Sequence, residues 1–593
     1  MNNIDSTGKG NQLIKNTYTG IFVINAVAMI SAMLCQIVDA VVTGQFLGTA
    51  AVAAYGLITP IVMLANLLCN LLGPGVNIIC TRHMGKARPD RCNQVFSIVM
   101  IADTILVISA AILFFLSAPS IAYRLGETAD AQVQGMMIDY IRGFVFAMPS
   151  MCLSMGLGGI MMLDNDRKRS LIALLVTFAG DVILDLANVL FFHGGMLGMA
   201  AATSVSTFLG ALVLLSHFFT KNHIVRFTPK GLRLNDLKEV LLCGISSLIT
   251  LGSQAIRIFM FNALLLAIAG SGAVAALAVA NSAFSIIINL AVSMLVTTST
   301  LCSMLYGEED RSGLIDAVTL SLKTAVKCFI VIAAFLMVFA HPVAAMFLSG
   351  SAAGELSQAA RFIRFISIQY LFASPSFVLC GAYQGTKRMG WTYWLSFLRE
   401  CVTPILCCMV LGRTFGLSGM ESGFIAAGIL TLICCFVPLL LNRSTKSAVV
   451  ERLMLLSDHF GAKPEDMFEA EMKTMDDVMD ASRRAFVFCE NKGMGEHDAR
   501  RTSLFVEEVC GNTVLHGFTG RREGIIDMRI VVDGESEMIR FRDNGTAFDP
   551  VDWLKRCRPE DPTSATGIAI VVGLAKDVQY IPAMGLNNLI IQL

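Results

Sequence analysis

Charge is what this chain has least of. Asp, Glu, Lys and Arg make up 15% of its 593 residues, against roughly 25% in ordinary soluble domains, so water is not the solvent for most of it. Cysteine is plentiful but unpatterned. The 17 residues show no C-x-x-C and no Cys/His spacing, which excludes the usual zinc and redox frameworks and leaves small buried side chains. Nor is there a Lys/Arg run or a basic patch interleaved with aromatics, which argues against a nucleic-acid partner.

What is present is apolar length. Hydrophobic residues reach 55% and mean hydropathy is +0.66. The charges that remain are unevenly placed. Before Lys446 there are 27 basic and 20 acidic residues, and from Lys446 onward 18 and 25, so a basic apolar part precedes an acidic mixed part. A bilayer crossing needs about 20 apolar residues. Such runs begin near 17, 55, 95, 133, 170, 198, 240, 274, 318, 356, 394 and 421, predicting twelve spans. The first run is too long for a signal-peptide core and is expected to be retained as span 1. Basic residues cluster after spans 2, 4, 6 and 10, for example Arg82/Lys86/Arg88/Arg91 and Arg167/Lys168/Arg169. The positive-inside bias then puts both termini in the cytoplasm of a cell-membrane protein.

The two halves repeat. GTAAVAA at 48–54 answers GSGAVAA at 270–276, and GMLGM at 195–199 answers GLSGM at 416–420, offsets of 222 and 221. Six spans per repeat give two lobes of equal orientation, 1–220 and 221–445, an arrangement common in transporters with a mid-membrane site between them. Ionisable groups within spans are functional candidates by default. Asp39 lies in span 1. Asp181 and Asp185 lie in span 5, four apart on one helical face, with Asn188 next to them. Three converging carboxylates in low dielectric cannot all stay ionised, so they can load and release a proton or small cation. Their positions in the second half, by the repeat offset, are Phe261, Val402 and Leu406, so the acid cluster is expected in one half. Arg257 in span 7 is a weaker candidate.

DAVVTGQFLGTAAVAAYGLITPI, ILDLANVLFFHGGMLGMAAATSV and GAYQGTKRMGWTYWLSFLRECVTPIL resemble the span 1, span 5–6 and span 10–11 passages of the multidrug and toxic-compound extrusion (MATE) transporters. The resemblance implies proton- or sodium-coupled export of amphipathic, often cationic, small molecules by alternating access. It gives Asp39 and Asp185 the role of essential coupling carboxylates and puts Thr203 beside them. Where the family often carries Asn, this chain has Asp181, an added negative charge.

Beyond a linker at 446–464, residues 465–593 read as a soluble α+β sandwich with helices segregated from an antiparallel sheet. EEVCGNTVLHG at 507–517 spaces Glu508, Asn512 and His516 along one helical face, and DNGTAFDP forms a turn rich in Asp, Asn and Gly. With TGIAIVVGLAKDVQY these segments resemble the Bergerat-type (GHKL) ATPases of the anti-sigma-factor serine-kinase branch. The resemblance makes Glu508 a catalytic base, Asn512 the Mg²⁺ ligand through ATP and Asp543 the adenine reader. His516 belongs to the same nucleotide-binding stretch, and Gly545 and Gly567 turn the backbone around the nucleotide. The second glycine box departs from Gly-x-Gly, reading Gly567-Ile568-Ala569, which puts a Cβ where phosphates approach. Two expectations follow. One is a cation-coupled exporter with a cytoplasmic ATP- or partner-binding regulatory domain. The other is a membrane-tethered serine kinase acting on a small STAS-type (anti-anti-sigma-like) protein, with the membrane half as sensor.

Overall fold

The computed structural model describes residues 12–125, 130–220, 223–347, 353–441, 448–457, 459–518, 524–533, 537–556 and 566–593. Most of the short segment between 556 and 566, which the resemblance to the ATPase family makes the lid of a nucleotide site, lies outside them.

Among the described residues ten helices are long and apolar enough to cross a bilayer, and the pair Ala131–Phe144 and Ala147–Leu163, bent by 44°, supplies an eleventh. One of the ten, Met389–Leu441, runs for 53 residues. At 1.5 Å per residue that is about 80 Å, far beyond the ~30 Å of a hydrocarbon core. It reverses at Gly416, whose φ of 66° and ψ of −142° no longer belong to a helix. Counting it as two gives the twelve spans that the apolar runs predict. In order they are Gln12–Leu47, Ala50–Gly85, Pro89–Leu125, the bent pair, Arg167–Phe192, Gly195–Phe219, Leu234–Ala269, Gly272–Gly307, Arg311–Met346, Gly354–Gly385, and then 389–415 and 417–441.

These helices turn apolar residues outward. Leu116, Phe191, Phe259 and Val338 are each at least 70% exposed, an arrangement that only lipid solvates. Inward, spans 1–6 enclose one core around Val107, Tyr140 and Met148. Spans 7–12 enclose another around Phe284, Phe329 and Phe362, which Ile14 and Tyr18 of span 1 also join. The halves meet closely at the end of the bundle where spans 2 and 8 finish. A Cβ on Gly85 would lie 2.3 Å from the Met304 carbonyl oxygen, and one on Gly307 would lie 2.3 Å from that of Arg82. Glycine permits this backbone contact, and no other residue fits it without a shift. Arg82 spans the same seam. Its guanidinium reaches Glu239 of span 7 at 2.7 Å and donates to the Gly385 carbonyl of span 10 at 3.2 Å.

The tail leaves the membrane at this end. The short helix Val449–Met454 is pinned by Arg311 to Glu451 at 2.8 Å and by the Tyr383 hydroxyl to the Leu453 carbonyl at 2.8 Å. Next come strands β1 (Met467–Met472), β2 (Ile526–Val532), β3 (Glu537–Asp543), β4 (Asp577–Ala583) and β5 (Leu586–Gln592). They form one antiparallel sheet in the order β1-β2-β3-β5-β4. Helices Met475–Asn491, Glu496–Asn512 and Thr566–Leu574 cover one face. The period of two in β2 and β3 divides the side chains. Ile526, Met528, Ile530, Ile539 and Phe541 pack against Phe505 and Val506 under the helices. Asp527, Arg529, Arg540 and Arg542 alternate with them and take the opposite face.

Candidate functional sites

Span 5 brings Asp181 and Asp185 to one face, and span 1 crosses it so that Asp39 meets them. One carboxylate oxygen from each lies within 4.8 Å of the others. Asp181 and Asp185 are buried. Asp39 is half-buried as a residue, but its Oδ1 is shielded from solvent. Ser206 of span 6 donates to Asp181 Oδ1 at 3.0 Å. Neither oxygen of Asp185 nor Oδ1 of Asp39 has a hydrogen-bond partner among the described residues. A buried carboxylate left without donors is costly, and a proton or a bound cation would satisfy it. Thr203 lines a narrow cavity with Asp39, Thr43, Tyr55, Tyr140 and Met199. Tyr140 also borders a second, apolar recess formed by Ile61, Val62, Phe114 and Phe144 among others. Asn188 is used differently. Its amide donates to the Gly195 carbonyl at 3.1 Å and its Oδ1 accepts from Gly194 N at 3.0 Å, so it fastens the turn between spans 5 and 6.

The second half has no matching acids at Phe261, Val402 or Leu406, yet it is not neutral. Arg257 pairs with Glu400 at 3.0 Å, and Arg399 pairs with the other oxygen of Glu400 at 2.9 Å. Gln254 donates to Glu400 at 3.4 Å, and the Arg399 guanidinium stacks over Phe377 at 3.7 Å. Sequence reasoning found Arg257 and missed Glu400 and Arg399. The signal was the adjacent charges of LRECV within an apolar run. A repeat offset counts residues, whereas this cluster lies about a turn away from the offset positions. Asp103 in span 3 was missed too: it is 1% exposed and its Oδ1 has no partner among the described residues.

In the tail the three motif segments converge. The Glu496–Asn512 helix continues as a single π turn, Thr513–Gly517, so the step from Asn512 to His516 is rotated from an ideal α-helical stripe. Asn512 donates to the Glu508 carbonyl at 2.7 Å, and His516 is exposed on the turn. The Gly517 carbonyl accepts from Thr546 N at 2.8 Å, which sets the DNG turn against this helix end. Asp543 Oδ1 accepts from Gly545 N and from Asn587 Nδ2, each at 2.7 Å, fixing the carboxylate at the end of β3. A Cβ on Gly545 would lie 2.8 Å from Asp543 Oδ1, and one on Gly567 would lie 1.8 Å from Glu508 Oε2. At Gly545 backbone crowds the position as well, the Gly517 carbonyl oxygen lying 3.0 Å from that Cβ, whereas at Gly567 the obstructing atoms are the movable end of the Glu508 side chain. Ala569, the departure from Gly-x-Gly, is exposed in the first turns of the last helix. The Asp543 carboxylate, the Asn512 amide and the close approach at Gly545 fit a nucleotide with its Mg²⁺.

Comparison with known proteins agrees with this division. The MatE family model matches residues 25–187 and 243–410, and a histidine kinase-like ATPase domain model matches residues 471–592. The probable multidrug resistance protein YoeA of Bacillus subtilis (strain 168) is 24% identical over 330 residues, covering 53% of this chain and 69% of that protein. An outward-facing multidrug resistance MATE transporter of the MOP superfamily superposes with a TM-score of 0.66 at 21% identity, over 72% of this chain and 97% of the other. A mutant of the Vibrio cholerae MATE transporter VcmN gives 0.66 at 17% identity, over 75% and 99%. At those identities the structures speak for the fold. With more than half of its length matched by one family model, the chain belongs to the MatE family and carries a histidine kinase-like ATPase domain at its C-terminal end.

Proposed function

We propose that this protein is a cation-coupled antiporter that exports amphipathic cations by alternating access, with both termini in the cytoplasm. The observation that carries the reading is the trio Asp39, Asp181 and Asp185, converging within 4.8 Å, with Asp185 unpartnered at both oxygens among the described residues. Such a trio takes up a proton or a sodium ion when the site faces one side and yields it to the other. A cationic substrate competes for the same charge. Tyr55 and Tyr140 line the same narrow space as Asp39, and aromatic rings so placed can attract that cation. The basic loops after spans 2, 4, 6 and 10 support the orientation. In the tail, Asp543 would read an adenine amino group, Asn512 would hold Mg²⁺ against phosphates, and Glu508 would orient a nucleophile. ATP bound there supplies a transferable phosphoryl group and, by binding alone, a regulatory signal.

The test is Asp185→Asn in proteoliposomes, reading ethidium efflux driven by an imposed proton or sodium gradient. Gradient-driven efflux should fall to the protein-free level while the variant remains monodisperse. Efflux at the wild-type rate would show that coupling lies elsewhere.

A further inference from the structure

The sheet face that carries arginines does not meet water. Arg540 and Arg542 of β3 and Arg529 of β2 are all at most 5% exposed as side chains, and so are Glu308 and Asp310 in the turn between spans 8 and 9. Arg540 reaches Glu308 and Asp310 at 3.1 Å each. Arg542 binds Glu308, and Arg529 binds Asp310. Burial pushes the Asp310 carboxyl up, but the Arg529 and Arg540 guanidiniums more than reverse this and hold it below the usual carboxylate range. This is a fastening to the second half of the membrane domain. The β4–β5 turn makes another, to the first half. Met584 N donates to the Leu163 carbonyl at 3.3 Å, and Arg167 donates to the Met584 carbonyl. Ile581, Ala583 and Met584 join a single apolar cluster with Met84 and Leu163 from one half and Val240 and Met304 from the other.

From these contacts we infer that the ATPase-like domain is a clamp on transport: it straddles both halves and holds the bundle shut on the tail side. The inference rests on the antiporter reading and its orientation. Substrate loading from the cytoplasm requires the halves to part where Gly85 meets Met304 and Gly307 meets Arg82. One body fixed to loop 4–5 of the first half and turn 8–9 of the second must release at least one fastening before they can. The candidate nucleotide site adjoins both. Asp543 follows Arg542 directly in β3, and its partner Asn587 lies three residues beyond Met584.

The experiment uses the whole chain in proteoliposomes with three variants: Arg542→Glu, the charge swap Glu308→Arg/Arg542→Glu, and Arg167→Ala on the other fastening. Ethidium efflux is measured beside hydrogen exchange of residues 82–88, 163–167 and 303–310. Arg542→Glu and Arg167→Ala should each raise efflux about fivefold or more, the lower range of allosteric coupling, and speed exchange in those segments. The swap should return both readings toward wild type. Unchanged or slower efflux with unchanged exchange, in variants that remain monodisperse, overturns the clamp. If Arg542→Glu does not fold, Arg167→Ala decides between the same two outcomes. If exchange rises but no chain, wild type included, exports dye, the antiporter reading fails and takes the clamp on transport with it, although the tail still ties the two halves together.

Discussion

At the scale of single residues, charge in an apolar run is the most legible feature of this chain. Asp39, Asp181 and Asp185 stand out because each is expensive where it sits, and the structure brings all three together. Glu400 and Arg399 were less visible because neighbouring opposite charges look self-cancelling in a sequence, and the repeat offset pointed past them. Their burial has an energetic consequence. Glu400 is shared by two guanidiniums inside the membrane domain, so Glu400→Gln leaves Arg257 and Arg399 buried without their counter-charge. Breaking a buried pair costs about 3–5 kcal/mol. A clear fall in the thermal midpoint of the purified variant is expected, and an unchanged midpoint would mean that the arginines find other partners.

At the scale of elements, the twelve spans follow from apolar length alone, and the tail's strands from alternation and turn residues. The irregularities do not. Single π turns occur at Thr43–Leu47, Asn188–Phe192, Leu398–Val402 and Thr513–Gly517. They fall after Asp39, after Asp185, at Arg399–Glu400 and after Asn512, matching the tendency of π turns to mark functional positions. A hydrophobic pattern blurs over one inserted residue, which is why the sequence shows none of them. The glycine contact between spans 2 and 8 is equally silent in the sequence, since a helix glycine there resembles any other. Gly85→Ala places a methyl 2.3 Å from a backbone oxygen, so the seam must open. Faster hydrogen exchange at 82–88 and 304–310 is expected in that variant, and protection equal to wild type would mean that the seam absorbs the methyl.

For the whole molecule, the relation between membrane domain and tail was the least legible part. Arginines alternating with apolar residues in a strand describe a solvated face as well as one covered by carboxylates, and Glu308 and Asp310 read as an ordinary turn. Only assembly tells these apart. Coupling is reciprocal in binding free energy. A nucleotide that loosens or tightens the dock must therefore bind the dock variants differently. Titration of the whole chain with a non-hydrolysable ATP analogue and Mg²⁺ should give distinct affinities for wild type and Arg542→Glu. Equal affinities would leave the nucleotide site and the dock independent.

The arginine–carboxylate dock also bears on how the two parts can diverge. A chain that lost its tail would expose Glu308 and Asp310 without their guanidiniums, and a tail set free would display three arginines on one sheet face. Each part has therefore become a condition of the other's surface. The two domains are not modular, since cutting the chain at the linker would leave buried carboxylates on one part and buried arginines on the other without their counter-charges.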